Sequence, residues 1–353
     1  GIEADAAACD VNENSAPLVQ FKIEIMEAYY REMTACLREI GVRIPITGTN
    51  WMTNGAVTKA NRVTDFADSH TYFYDWRWGE TVKCCMNKAI SQTPGFGMEN
   101  MTGMRALDRP LFVSEWDMPW PNAYRAESPI LYAAIGAFQG WSGYAIHTYA
   151  YSSRLDGMTI LGKEASSASI GGVPYREGIF SVWNDPAKFG LFYHAALITR
   201  RGDVAESRES VAVQVTDMTI RTPPALHLAA ERCKVGVQFE GEPPAAPRVV
   251  GPDEPLVDEA AGEVRSDTGE LYRSWTKRYG TIDSPRTKCV YGFLGKNGTL
   301  KLSGLTVTAE TDFAVIAVSS LTAAPIGSSD NLLLTAGGRA QNSGARFEGD
   351  QMI

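Results

Sequence analysis

The chain has 353 residues, 44% of them hydrophobic and 10% aromatic, which is enough for packed cores and excludes a disordered chain. A formal charge of −8 at pH 7 argues against a nucleic-acid partner, since phosphate binding needs a basic surface. No run of about 18 apolar residues occurs, so no membrane partner is expected, and the start, Gly1 to Asp5, lacks the basic and apolar regions of a signal peptide.

Ala6 to Val11 reads as a short strand that runs into Asn12-Glu13-Asn14-Ser15. Leu18, Phe21, Ile25, Tyr29, Met33, Leu37 and Ile40 then recur at spacings of three and four, the stripe of a helix over 18–40. Pro17 suits its first turn and Gly41 its stop. Val42 to Asn50 reads as a strand ending at Trp51, and Phe66 to Tyr74 as another ending at Trp76 and Trp78. A short helix is expected over 81–91. In Arg109-Pro-Leu-Phe-Val-Ser-Glu-Trp-Asp-Met-Pro-Trp-Pro-Asn122, the apolar run Leu111 to Val113 is bounded by turn residues, as in a buried parallel strand. Ser128 and Pro129 open a helix over Ile130 to Gln139. A strand follows at Gly143 to Tyr151, and a helix at 186–199.

Strands alternating with helices, each strand ending in polar or aromatic residues, predict an α/β fold of (β/α)8 barrel type. Only four or five strands fit before residue 200, so residues 1–204 are expected to hold about strands 4 or 5 to 8 of a barrel incomplete at its N-terminus. Its open edges call for a partner chain or a second copy. Residues 205–353 read as an all-β sandwich, with strands at Val211 to Thr219, Lys234 to Phe239, Asp312 to Val318 and Leu332 to Thr335. A hairpin is expected between Val290 to Leu294 and Thr299 to Leu302, turning at Asn297-Gly298. The six cysteines show no metal-ligand spacing and read as reduced and structural; neither a metal nor a cofactor is expected.

The chemistry gathers around Glu115, a carboxylate at the carboxyl end of a parallel strand. Trp116, Trp120, Trp51 and Trp76 offer faces on which a pyranose ring can stack. A strand-end carboxylate also has an ordinary use, here an ion pair with Arg109 or Arg125. His70 and Tyr72 alternate on one strand and share a face, on which Tyr72 can bond Glu115 and hold it ionised. His147 and Tyr149 share a face of a later strand, and Asn50 ends its strand beside Trp51. Asn12-Glu13 supplies a second carboxyl group and an amide, the set a two-carboxylate glycosidase needs. Arg201-Gly202-Asp203 reads as a helix stop.

Pro45-Ile-Thr-Gly-Thr-Asn-Trp51, Asp68-Ser-His-Thr-Tyr72, Val113-Ser-Glu-Trp116, Trp141-Ser-Gly143 and Leu332 to Asn342 together resemble the second half of a bacterial clan A type glycoside hydrolase with its following β-sandwich. The resemblance spans roughly residues 20 to 345 and implies a retaining (β/α)8 enzyme, secreted or periplasmic, acting on a polysaccharide or oligosaccharide. By that resemblance Glu115 matches the seventh-strand nucleophile, Tyr72 the tyrosine that bonds it, and Glu13 the fourth-strand acid/base. Asn12, Asn50, Trp51, His70, Trp76, Trp116, Trp120, His147 and Tyr149 are the expected substrate contacts. Two other readings fit the same residues: a transglycosylase on the same site, or a non-catalytic carbohydrate-binding or structural chain with an incomplete barrel.

Overall fold

The computed structural model describes residues 14–52, 54–73, 87–95, 105–149, 159–160, 163–164, 180, 182, 185–341, 343–344, 346–348 and 351–352. Asn12, Glu13 and Trp76, with Cys9, Cys84 and Cys85, lie outside these.

Helix α1 (Ala16–Glu39) ends as the sequence predicts. Gly41 takes φ +101°, Val42 N donates to Leu37 O, and Gly41 N to Arg38 O, which satisfies the last free carbonyls of the helix. The packed face is a different one. Val19 and Ile23 are buried against Ala56 and Ala60 of α2 (Gly55–Asn61), while Phe21, Ile25, Tyr29 and Met33 stand exposed. Met26 and Met218 pack against the same cluster. Residues 42–50 are not a strand. Side chains occupy their backbone groups instead: Arg38 donates to Val42 O and Ile44 O, Asp65 accepts from Ile46 N, and Asn61 accepts from Gly48 N.

Three parallel strands follow, β1 (Ala67–Tyr72), β2 (Leu111–Asp117) and β3 (Gly143–Ile146), in the order β1-β2-β3. Among the described residues no sheet closes into a barrel. Helix α3 (Ser128–Phe138) is apolar all round and almost wholly buried, as such a helix must be. It packs on α4 (Phe192–Arg201). A two-residue pair, β4 (Thr159–Ile160) with β5 (Lys163–Glu164), lies between them in the chain.

The strands after residue 205 divide among several sheets, one of them parallel, instead of forming one all-β unit. β6 (Ser210–Val215), β7 (Lys234–Phe239) and β8 (Arg248–Val250) are parallel, in the order β7-β6-β8. Parallel neighbours require crossovers, and the segment containing the short helix α5 (Ala229–Arg232) supplies one. Beyond them β9 (Glu263–Arg265), β10 (Leu271–Ser274), β11 (Tyr279–Asp283) and β12 (Thr287–Gly292) enter an antiparallel sheet. The hairpin of β13 (Thr299–Leu302) and β14 (Leu305–Thr308) interrupts it, before β15 (Ala314–Ser320) and β16 (Leu332–Gly337) complete six strands. That hairpin turns at Ser303-Gly304, with Gly304 at φ +74°, and not at Asn297-Gly298. The Asn297 amide is spent on Lys277 O and Phe293 O.

Residue 204 is no break in the packing. One apolar core joins Leu111, Val113, Ile130 and Phe138 to Ile198, Leu271, Ile282, Val315 and Ala317. Asp203, buried, accepts from Arg201, Arg286 and Thr287, tying the end of α4 to the antiparallel sheet. Arg201-Gly202-Asp203 is thus a helix stop with a clamp, Gly202 sitting at φ +65°. Arg273 and Glu231 form a second buried pair, at 2.5 Å, and Arg273 also donates to Ile90 O and Pro94 O. Cys233 and Cys289 are buried free thiols and Cys36 an exposed one; burial pushes the Cys233 thiol up to about 12.

Two buried titratable groups in this core oppose each other. His194 lies between Ser319 Oγ (2.7 Å) and Thr335 Oγ1 (2.9 Å), and burial lowers its pKa to about 4. Its contribution is therefore present above its unfolded value of about 6.5 and is lost as pH falls through the folded value. Burial raises Glu127 to about 7, against a bond from Ser91 N. Its contribution is present below its unfolded value and is lost as pH rises through 7. Urea unfolding at pH 4.5 and 8 checks this. Relative to the parent, His194→Gln makes stability fall more with rising pH and Glu127→Gln makes it fall more with falling pH, each by up to roughly 3 kcal/mol. Unchanged pH dependence in both variants would contradict the assignment.

Candidate active site

The register between β1 and β2 slips at one place. Ala67, Asp68 and Ser69 face Leu111, Phe112 and Val113, but His70 faces Glu115 and Tyr72 faces Asp117. β2 therefore carries one extra residue, Ser114, which has no partner in β1. β3 confirms the count, since Val113 faces Tyr144 and Trp116 faces Ile146. Cross-strand partners share a face of the sheet. Without the bulge His70 would face Ser114, and Glu115 would point the other way; with it, Glu115 joins His70 and Tyr72. His147, whose N–H donates to Trp116 O, follows Ile146 onto the same face.

Three groups meet one oxygen of Glu115. Tyr72 OH donates to Oε2 at 2.5 Å, His70 Nδ1 lies 3.2 Å from it and His147 Nδ1 3.4 Å. No hydrogen bond or ion pair from a described residue reaches Oε1, and the side chain is 31% exposed. His70 Nε2 is 3.0 Å from Ser114 Oγ, and Asp68 Oδ1 accepts from Ser114 N. Burial lowers the His70 pKa, partly offset by the charges of Glu115 and Asp68, and the neighbouring His147 lowers it further. A neutral imidazole with Nδ1–H towards the carboxylate and Nε2 accepting the Ser114 hydroxyl satisfies both contacts. One carboxylate oxygen is thus anchored, while the other has no hydrogen-bond or ion-pair partner among the described residues.

The ordinary uses of a strand-end carboxylate are not taken up. Arg109 bonds Asp108 and the carbonyl of Thr64, and Arg125 pairs with Asp185 at 2.7 Å. Asp117, wholly buried, is bonded by Lys188 at 2.6 Å, which fastens the end of β2 just past Glu115. Burial raises the Asp117 pKa, and Lys188 opposes that.

Of the expected substrate contacts, Trp51 is 59% exposed, edge-on to His70 with ring centres 5.8 Å apart. Asn50 is exposed beside it. Tyr149 is exposed, and its carbonyl accepts from Val182 N. Trp116 and Trp120 do not face the opening. Trp116 follows Glu115, so alternation turns it to the opposite face, where it is 1% exposed and stacks on Tyr132 at 4.5 Å. Trp120 is buried too, and Asn122 is a turn residue whose side chain bonds Lys88 O and Tyr124 N.

A cavity of about 160 Å³ opens at this end of β1, lined by Trp51, Met52, Ser69, His70, Thr71, Tyr72 and Arg221. Phe180 packs edge-on against Tyr72 and His147, with ring centres 5.7 and 4.8 Å away. Arg221 and Phe180 had no local motif to mark them; both arrive from distant segments. Among the described residues no group of three His, Cys, Asp or Glu side chains is disposed to hold a metal ion, and no helix is long and apolar enough to cross a membrane.

The Glu115 charge raises the His70 pKa against the lowering by burial. Glu115→Gln removes that charge at nearly constant shape, so His70 is expected to titrate lower still, as followed by imidazole NMR. An unchanged or higher midpoint would separate the two groups. No protein-family model, curated protein or solved structure matches this chain.

Proposed function

We propose that this chain is part of a retaining glycoside hydrolase, with Glu115 as the nucleophile. One observation carries the reading: a carboxylate at the carboxyl end of a parallel strand has one oxygen fixed by Tyr72, His70 and His147 and the other without a partner among the described residues, with the exposed Trp51 edge-on to His70. Such a carboxylate can attack an anomeric carbon through Oε1 while the Tyr72 hydroxyl stabilises the charge remaining on Oε2. Retaining chemistry needs a second carboxyl group about 5 to 5.5 Å away as acid and then base. Glu13 is the residue we assign to that role. In the same reading β1, β2 and β3 are the sixth, seventh and eighth strands of a (β/α)8 barrel, and the antiparallel sheet with its β13–β14 hairpin is the accessory sandwich.

A second reading, a carbohydrate-binding chain without turnover, is favoured by one fact: none of the described residues lining the cavity is a carboxylate.

Hydrolysis of a polysaccharide panel, with product anomers followed by NMR, separates the two. The hydrolase reading expects a product of retained configuration, and Glu115→Gln should cut turnover by at least about a thousandfold while leaving binding nearly unchanged. Full activity in that variant refutes Glu115 as nucleophile, and binding without hydrolysis across the panel favours the second reading.

A further inference from the structure

Arg221 belongs to the loop after β6, far in sequence from the strands that carry Glu115, His70 and Tyr72. That loop is fastened to the first turn of α2. Ala56 N donates to Met218 O at 2.8 Å and Gly55 N to Ile220 O at 3.2 Å. Asp217 Oδ1 accepts from both Thr219 N (2.8 Å) and Thr219 Oγ1 (2.7 Å), which braces the bend. The approach is close enough that a Cβ on Gly55 would stand 3.1 Å from Val215 and 3.3 Å from the Met218 carbonyl. The outcome is that Arg221 forms part of the wall shared with Trp51, His70 and Tyr72.

The Arg221 side chain is exposed, and no described residue gives it a hydrogen bond or an ion pair. The arginines nearest in role differ: Arg62, Arg109, Arg125 and Arg273 are all engaged by carboxylates or carbonyls. A cation in a cavity wall that no described residue engages matters more in this chain than in most. Its net charge is −8, and two residues of the cavity wall, His70 and Tyr72, meet the Glu115 carboxylate, so an anionic ligand would be repelled unless a fixed positive group met it. At about 160 Å³ the cavity is smaller than the ~300 Å³ at which ordinary ligand pockets begin, which suits one ring better than several.

We propose that the cavity beside Glu115 receives a sugar unit bearing an anionic group, a carboxylate or a sulfate ester, with the anion on Arg221 and the ring against Trp51. This rests on the carbohydrate reading of the site and narrows its substrate class to acidic glycans. A planar guanidinium can meet either anion with two parallel hydrogen bonds, which a lysine cannot reproduce.

Equilibrium binding to the full chain tests this without requiring turnover. Saturation-transfer NMR and calorimetry would compare glucuronate with glucose, galacturonate with galactose, and a sulfated glucose with its parent. At least one acidic sugar should bind about tenfold or more tightly than its neutral parent, with the advantage shrinking between roughly 0.01 and 1 M salt. Whether the uronates or the sulfated sugar lead identifies the anion. Arg221→Gln should erase the advantage, and Arg221→Lys should keep part of it. Neutral and acidic sugars binding alike, or an advantage that survives Arg221→Gln, overturns the acidic class while the carbohydrate reading stands. No binding by any sugar removes both.

Discussion

Ser114 has no partner in β1, and that single unpaired residue determines which groups can meet Glu115. Side chains of a strand alternate, so one inserted residue moves everything after it to the other face. Here it carries Glu115 from the face of Ser69 to the face of His70, Tyr72 and His147. It also turns Trp116 inward to stack on Tyr132. The bulge is itself held: Asp68 accepts from the Ser114 amide, and His70 meets the Ser114 hydroxyl. The residue that creates the irregularity is thus also bonded to the residues that profit from it.

Rigid supports surround this face. Lys188 and Asp117 are wholly buried and bonded just past Glu115, and Arg125 with Asp185 lies next in the same chain of charges. Buried pairs of this kind are weak stabilisers on balance, yet removing one partner costs about 3 to 5 kcal/mol, because the other charge is left stranded. They therefore specify geometry more than they add stability. Arg125 also donates to Ala340 O, so the loop after Glu115 is fixed by the far end of the chain. The same dependence appears in the continuous core that crosses residue 204, and in Arg221, which reaches the cavity from a different sheet.

Much of this was legible in the residues. Strands β1, β2 and β3, helices α1, α3 and α4, and the stop at Gly41 follow from periodicity and punctuation. The contact of Tyr72 with Glu115 follows the pairing expected for this pair. What escaped has physical causes. Helix α1 has two apolar stripes, and only the shape of its neighbour decides which is buried. Residues 42–50 have strand-like composition, but Arg38, Asn61 and Asp65 claim their backbone groups. The bulge leaves no mark in an alternation of three or four residues. Parallel and antiparallel pairing look alike in single strands such as Val211 to Val215, so their residues do not distinguish the β7-β6-β8 sheet from a layer of a sandwich. Arg221, in a polar loop, has nothing local to distinguish it.

The central claim is that Glu115 presents a free oxygen as a nucleophile. Covalent labelling of the intact chain with a panel of cyclitol epoxides, which trap retaining glycosidase nucleophiles as esters, tests it most directly. Peptide mass spectrometry should find one adduct, on Glu115, absent in Glu115→Gln and slowed in Tyr72→Phe. An adduct on any other carboxylate, or none from any epoxide that the cavity binds, would contradict the account.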